Sequence, residues 1–159
     1  RIIHGLYLVL KLSLHSPILY LRRYIIRNKT PDYRLLPQVR TKGAWEEWIL
    51  FMLDGVAETA TETLQLIKKI NALVEQTAKD ILAELPKIYS RELVDLLFYE
   101  FYTKTIYIEK GLRVSRRTAV TYLTALEESG FLVSERMGRE RIYLNKRLFE
   151  VVRQAGEQK

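Results

Sequence analysis

The sequence predicts a mainly α chain, a helical bundle portion followed by a winged helix-turn-helix with one short hairpin. Three observations predict it. An apolar stripe of helical period runs from Trp45 to Leu85 and is stopped by Pro86. From Val114 to Leu144, helix, strand and turn signals follow one another in the order of a recognition helix and its wing. Seven glycines and four prolines in 159 residues leave few long loops.

Taken in order, Ile2, Ile3, Leu6, Tyr7, Leu10 and Leu12 are too dense for one narrow stripe and predict a largely buried helix over Arg1 to Leu14. Its apolar surface predicts self-association as a homodimer. His15-Ser16-Pro17 breaks it, with Ser16 placed to cap and Pro17 suited to the next first turn. That second helix carries Tyr24, Ile25 and Ile26 on one side and Arg22, Arg23 and Arg27 on another, and ends at Asn28 to Thr30. Thr30-Pro31-Asp32 starts a further segment with Leu35, Leu36 and Val39, which Pro37 should kink or keep very short. Lys42-Gly43 opens the long helix. Gly55 and the threonines around Ala60 lower helix propensity and mark the place for a bend, and Trp45 and Trp48 read as core anchors.

Pro86 to Tyr89 is the boundary: residues 1–86 form the helical domain, 87–154 the winged helix and 155–159 a frayed tail. Without a Gly- or Ser-rich spacer, the two domains are expected to be coupled in orientation. Ser90 caps a helix over Arg91 to Glu100 with Leu93, Leu96 and Leu97 on its apolar side. Thr103 to Lys110 is the first helix of the helix-turn-helix pair. Thr103, Thr105, Ile106 and Ile108 favour strand, so its first two or three residues can be extended. Gly111 to Val114 is the turn, Ser115 the next cap and Gly130 the helix end, with Ala119, Tyr122, Leu123 and Leu126 inward. Phe131 and Val133, then Ile142 and Leu144, alternate with their neighbours on either side of Met137-Gly138-Arg139-Glu140, which makes the hairpin. Asn145 caps a last helix, Lys146 to Gln154.

The net charge of +7 is unevenly spread. Residues 1–42 hold nine Lys or Arg against Asp32 alone, whereas residues 43–86 hold three against eight acids. An anionic ligand or partner is therefore expected at the N-terminal third at least as much as at the winged helix. Residues 87–153 hold 13 bases against 9 acids, only mildly basic. Within that module Arg113, Arg116 and Arg117 crowd the start of the recognition helix, and Arg136, Arg139 and Arg141 the wing. These are positions that face phosphates and groove when such a module binds duplex DNA. A packing or partner-binding role uses the same fold and stays open beside DNA contact. No apolar run reaches membrane-spanning length, so no membrane partner is expected. The absence of cysteine fits a reducing cytoplasm, and an initial arginine followed at once by an apolar periodic segment suggests a start inside a longer protein.

No segment supplies a catalytic constellation: HExxH, CxxC, G-x-S-x-G and glycine-rich phosphate loops are all missing. His4 and His15 read as structural or surface histidines, because a general base needs an orienting acid and only Asp32 is at hand in that region. No metal site is expected.

The segments RIIHGLYLV, PILYLRRYIIRNKTPDYRLLPQVRTKG and AWEEWILFMLDGVAETA resemble the portion of Fic-family proteins, the AMP-transferring enzymes, that follows their signature H-x-F-x-(D/E)-G-N-G-R-x-x-R. KIYSRELVDLLF through the winged helix is similar to a common C-terminal extension of bacterial Fic proteins, so the resemblance spans nearly the whole chain. It implies a Fic-like helical bundle for residues 1–86. It also implies ATP and Mg²⁺ as cofactors of a parent enzyme that transfers AMP to a protein target's hydroxyl. In that family the signature histidine takes the hydroxyl proton, the acid holds Mg²⁺, and backbone amides at a helix N-terminus hold phosphate. This chain has at most the terminal arginine of the signature, Arg1, which the resemblance makes a nucleotide contact. No catalytic residue and no cofactor site are assigned within the chain itself. The alternative from the residues alone is a winged-helix transcriptional regulator whose helical region dimerises it.

Overall fold

The computed structural model describes residues 21–138 and 140–157. The first helix expected over Arg1 to Leu14, both histidines, the start of the second helix, and the candidate contacts Arg1 and Arg139 lie outside the described residues. Packing divides the chain into two units, one up to Gln65 and the other from Leu66 to Gln158.

In the N-terminal unit, α1 (Leu21–Arg27) stops at Asn28, whose side-chain amide donates back to the Tyr24 carbonyl at 3.0 Å. The next helix, α2 (Lys29–Lys42), corrects the expectation of a short segment, for it runs 14 residues with Pro37 inside it. Proline removes one amide from the ladder. Burial of Leu35 and Val39, one on each side of Pro37 in sequence, offsets that loss. Gly43, in the left-handed region at φ 65°, closes α2 by donating to the Val39 carbonyl at 3.2 Å.

The forty-residue stripe is one helix, α3 (Trp45–Glu84), and its first half belongs to this unit. No break occurs at Gly55. The glycine there serves packing: a Cβ would lie 2.5 Å from Cδ1 of Tyr24, whose ring also meets that of Phe51 with centroids 5.1 Å apart. Arg27 pairs with Glu58 and Glu62, which lie one turn apart on α3. Trp45 is not the core anchor the sequence suggested, being 57% exposed. As the first residue of α3 it has no preceding turn of its own helix to lie over. Its ring meets the half-buried Trp48 edge to face at 6.3 Å.

The C-terminal unit is built from the second half of α3, α4 (Arg91–Tyr99), β1 (Tyr102–Lys104), α5 (Thr105–Leu112), α6 (Arg116–Glu128), β2 (Val133–Met137), β3 (Glu140–Leu144) and α7 (Lys146–Glu157). Its strands form an antiparallel sheet in the order β1-β3-β2. This is a winged-helix arrangement with a third strand added to the expected hairpin. The strand preference of Thr103 prevails over β1 because Tyr143 lies opposite it and both are buried. Helix follows from Thr105.

Ile81 of α3, Leu93 of α4, Ile108 of α5, and Leu123 and Leu126 of α6 are fully buried in one cluster with Phe131 and Tyr143. Truncating any of these leucines to alanine costs about 2–5 kcal/mol. Asn145 joins three elements. Its Oδ1 accepts the Leu148 amide at 3.1 Å as the cap of α7, its Nδ2 donates to the Leu97 carbonyl at 3.2 Å, and its backbone N–H donates to the Phe101 carbonyl at 2.9 Å. With that cap α7 runs to Glu157, three residues beyond the expected Gln154. Across the unit, Arg147 of α7 donates to Asp80 of α3 at 3.0 Å and lies over the Phe131 ring. Among the described residues, no helix is long and apolar enough to cross a membrane.

Candidate nucleic-acid interface

The helix-turn-helix geometry is set by residues 112–118. Arg113 ends α5 with φ 55° and ψ 40°, and among the described residues it is the one non-glycine with positive φ. That conformation costs a side-chain-bearing residue about 1–2 kcal/mol. Here it lets the next amide, that of Val114, donate to the Glu109 carbonyl at 3.1 Å, which satisfies an end carbonyl of α5. Ser115 then turns extended, and its hydroxyl oxygen accepts the Thr118 amide at 3.1 Å, the cap the sequence predicted for α6.

From that cap the spacing of α6 decides which side chains face inward. Ala119, Leu123 and Leu126 are fully buried, and Tyr122 packs against the same core. Arg116, Arg117, Val120 and Thr121 are left exposed on the remaining face. The far end closes as expected at Gly130, with φ 75°. The Phe131 amide donates to the Leu126 carbonyl at 2.9 Å and the Gly130 amide to the Glu127 carbonyl at 3.0 Å, a Schellman closure whose apolar contact is Phe131 against Leu126 in the core.

Of the residues singled out in the sequence, Arg113, Arg116 and Arg117 are brought together at the turn and the first turn of α6. All three are exposed, and among the described residues none of them forms an ion pair. Arg139 lies outside the described residues; Met137 and Glu140, which flank positions 138 and 139 in sequence, pair across β2 and β3. Arg136 is exposed on β2, directly opposite Arg141 on β3.

Arg141 is not available as a wing contact. Its Nη2 donates to Glu127 Oε2 at 3.0 Å, its Nε to the Ser134 hydroxyl at 2.7 Å, and its guanidinium lies 5.5 Å from the Tyr143 ring centroid. Glu127 accepts in addition from the hydroxyl and the backbone amide of Ser134. The Ser134 hydroxyl first, its amide and Arg141 next, hold the Glu127 carboxyl below the usual glutamate range against some desolvation. No pattern in the sequence marks this cluster, because its members stand on α6, β2 and β3 and share no spacing. It changes the charge balance that faces an anion. Glu127 and Arg141 cancel each other, and Glu140 is held by Lys104 of β1, whose pKa that contact raises. Among the described residues, the arginines of the α6 start have no acidic partner.

Such a face is suited to phosphate. Planar guanidinium groups on an exposed helix start and turn can each take two oxygens of a phosphodiester, while Thr121 and Val120 offer small groups to a groove. Among the described residues no group of three or more His, Cys, Asp or Glu side chains is placed to hold a metal ion.

Compared with known families, residues 73–148 match the model described as "Protein adenylyltransferase SoFic-like, C-terminal domain". The match takes in the end of α3 from Leu73 and every element through β3. It therefore contains the turn, α6 and the hairpin, and residues 73–148 of this chain belong to the Fic family as a SoFic-like C-terminal domain.

Proposed function

We propose that this chain is the helical and winged-helix portion of a Fic-family protein adenylyltransferase, and that its winged helix binds duplex DNA. The observation that carries the DNA reading is the convergence at the start of α6 of exposed Arg113, Arg116 and Arg117, none of which forms an ion pair among the described residues. Groove-entering helices present their phosphate and base contacts from that turn. Arg139, which stands in sequence between β2 and β3, adds a flanking phosphate contact, and Arg136 lies on β2. With Glu128 and Glu135 still exposed in the module, the interaction is weak and strongly salt-dependent.

The enzymatic half of the reading rests on the resemblance of residues 1–60 and on the description of the family matched by residues 73–148. In the enzyme, ATP and Mg²⁺ belong to the signature loop, and AMP passes to a hydroxyl of a protein target. This chain's own contribution there is Arg1 as a nucleotide contact, with the helices as scaffold. No complete signature occurs in the sequence, so no proton transfer or metal ligation is assigned to its residues.

The DNA reading is tested with the full 159-residue chain and a labelled duplex by fluorescence anisotropy over a salt series. Binding should be measurable at low salt and fall steeply as salt rises. Arg116→Ala and Arg117→Ala should each weaken it and lower the salt slope by about one. Undetectable binding at low salt, or binding indifferent to Arg113→Ala, Arg116→Ala, Arg117→Ala and Arg139→Ala, would remove DNA as the ligand. The module would then be a packing or partner-binding appendage.

A further inference from the structure

Between the end of α4, β1 and α5 the surface sinks into a cavity of about 330 Å³ lined by Leu96, Tyr99, Glu100, Tyr102, Tyr107 and Lys110. Tyr99 stands at its rim 84% exposed, and the Tyr102 and Tyr107 rings meet beside it at 6.5 Å. Next in the chain, Phe101 meets Phe149 of α7 edge to face at 6.3 Å, and the two residues remain about half exposed, 42% and 55%. Five exposed aromatic rings in one region are a costly surface for a chain to leave wet. Tyrosine-rich patches of this kind, apolar in body and polar at the tip, are characteristic of protein interfaces. None of the three arginines at the start of α6 lines the cavity.

Charge selects the occupant. The cavity carries one acid, Glu100, and one base, Lys110, and among the described residues neither forms an ion pair. A purely acidic or purely basic partner would meet one of these charges favourably and repel the other. A copy of the same patch, turned about a two-fold axis, presents a base to each acid and an acid to each base, which is the complementarity an isologous interface requires.

We propose that this surface is a docking site for a second copy of this chain, in which Tyr99 of each copy enters the other's cavity and Glu100 of each pairs with Lys110 of the other. Two recognition helices are thereby carried by one assembly.

The test is sedimentation velocity of the full chain over a concentration series. The wild type should show a concentration-dependent dimer, and Tyr99→Ala should raise its dissociation constant about tenfold or more. Glu100→Lys and Lys110→Glu should each weaken association by a similar factor. An equimolar mixture of those two single variants should regain it, as should the double variant carrying both, because opposite charges again face each other in both cases. All three positions line the cavity, and thermal melts of the variants confirm the folded state. A wild type that stays monomeric at high micromolar concentration overturns the proposal. So does a dimer indifferent to these substitutions, or one that the charge variants weaken without recovery in the mixture and the double variant.

Discussion

Arg113 shows how one residue can carry two opposed demands. Its left-handed backbone is where glycine is the ordinary choice, yet the position directly before the recognition helix favours a cation if phosphate is bound there. Replacing it with glycine separates the two. Arg113→Gly should raise thermal stability by an amount corresponding to about 0.5–1 kcal/mol, since the backbone strain is relieved. The same variant should weaken DNA binding at low salt. Arg113→Ala should weaken binding similarly without the gain in stability. Differential scanning calorimetry beside the anisotropy titration reads both effects, and a destabilised glycine variant would count against the strain argument.

At the scale of elements, the hairpin is attached to α6 by the Glu127 cluster. In the β1-β3-β2 order β2 is an edge strand, and the Glu127 carboxylate covers part of that edge by accepting the Ser134 amide. The Glu127 pKa is lowered in the folded chain, so its contribution to stability is fully present above the ordinary glutamate range. It is lost as pH falls through the lower folded value. Glu127→Gln should therefore lower the melting temperature at neutral pH, and the gap between variant and wild type should narrow in acid. Asp80, lowered by Gln76 first and Arg147 second, behaves in the same sense, which makes the comparison with Glu127→Gln, and not the wild-type acid profile alone, the diagnostic measurement. A gap that stays constant with pH would show that the cluster contributes packing and not charge.

The whole molecule is expected to be inactive on its own. The chain lacks a histidine and carboxylate accompanied by a glycine-rich phosphate loop. Incubated by itself with labelled ATP, Mg²⁺ and a protein acceptor, it should transfer no AMP. Incorporation above a protein-free control would overturn this, and its loss on Arg1→Ala would direct attention to Arg1.

The sequence by itself determined what depends on local chemistry. The period of the stripe from Trp45 and the stop at Pro86 placed α3. The hydroxyls of Ser90 and Ser115, the amide of Asn145 and the freedom of Gly130 placed the ends of α4, α6 and α7. A helix cap, a turn glycine and an apolar period act within a few residues, so they are written where they act. The arginines at the start of α6 were legible for the same reason, being fixed by one cap and one turn. Tertiary structure decided what joins distant segments. Tyr24 needs the missing Cβ of Gly55, Thr103 becomes a strand because Tyr143 lies opposite it, and Arg141 is withdrawn from the wing by Glu127. The aromatic cavity beside α4 likewise exists only because α4, β1 and α5 are folded against one another. No periodicity encodes such pairings: each is a balance between local preference and burial that is settled only when the partners meet.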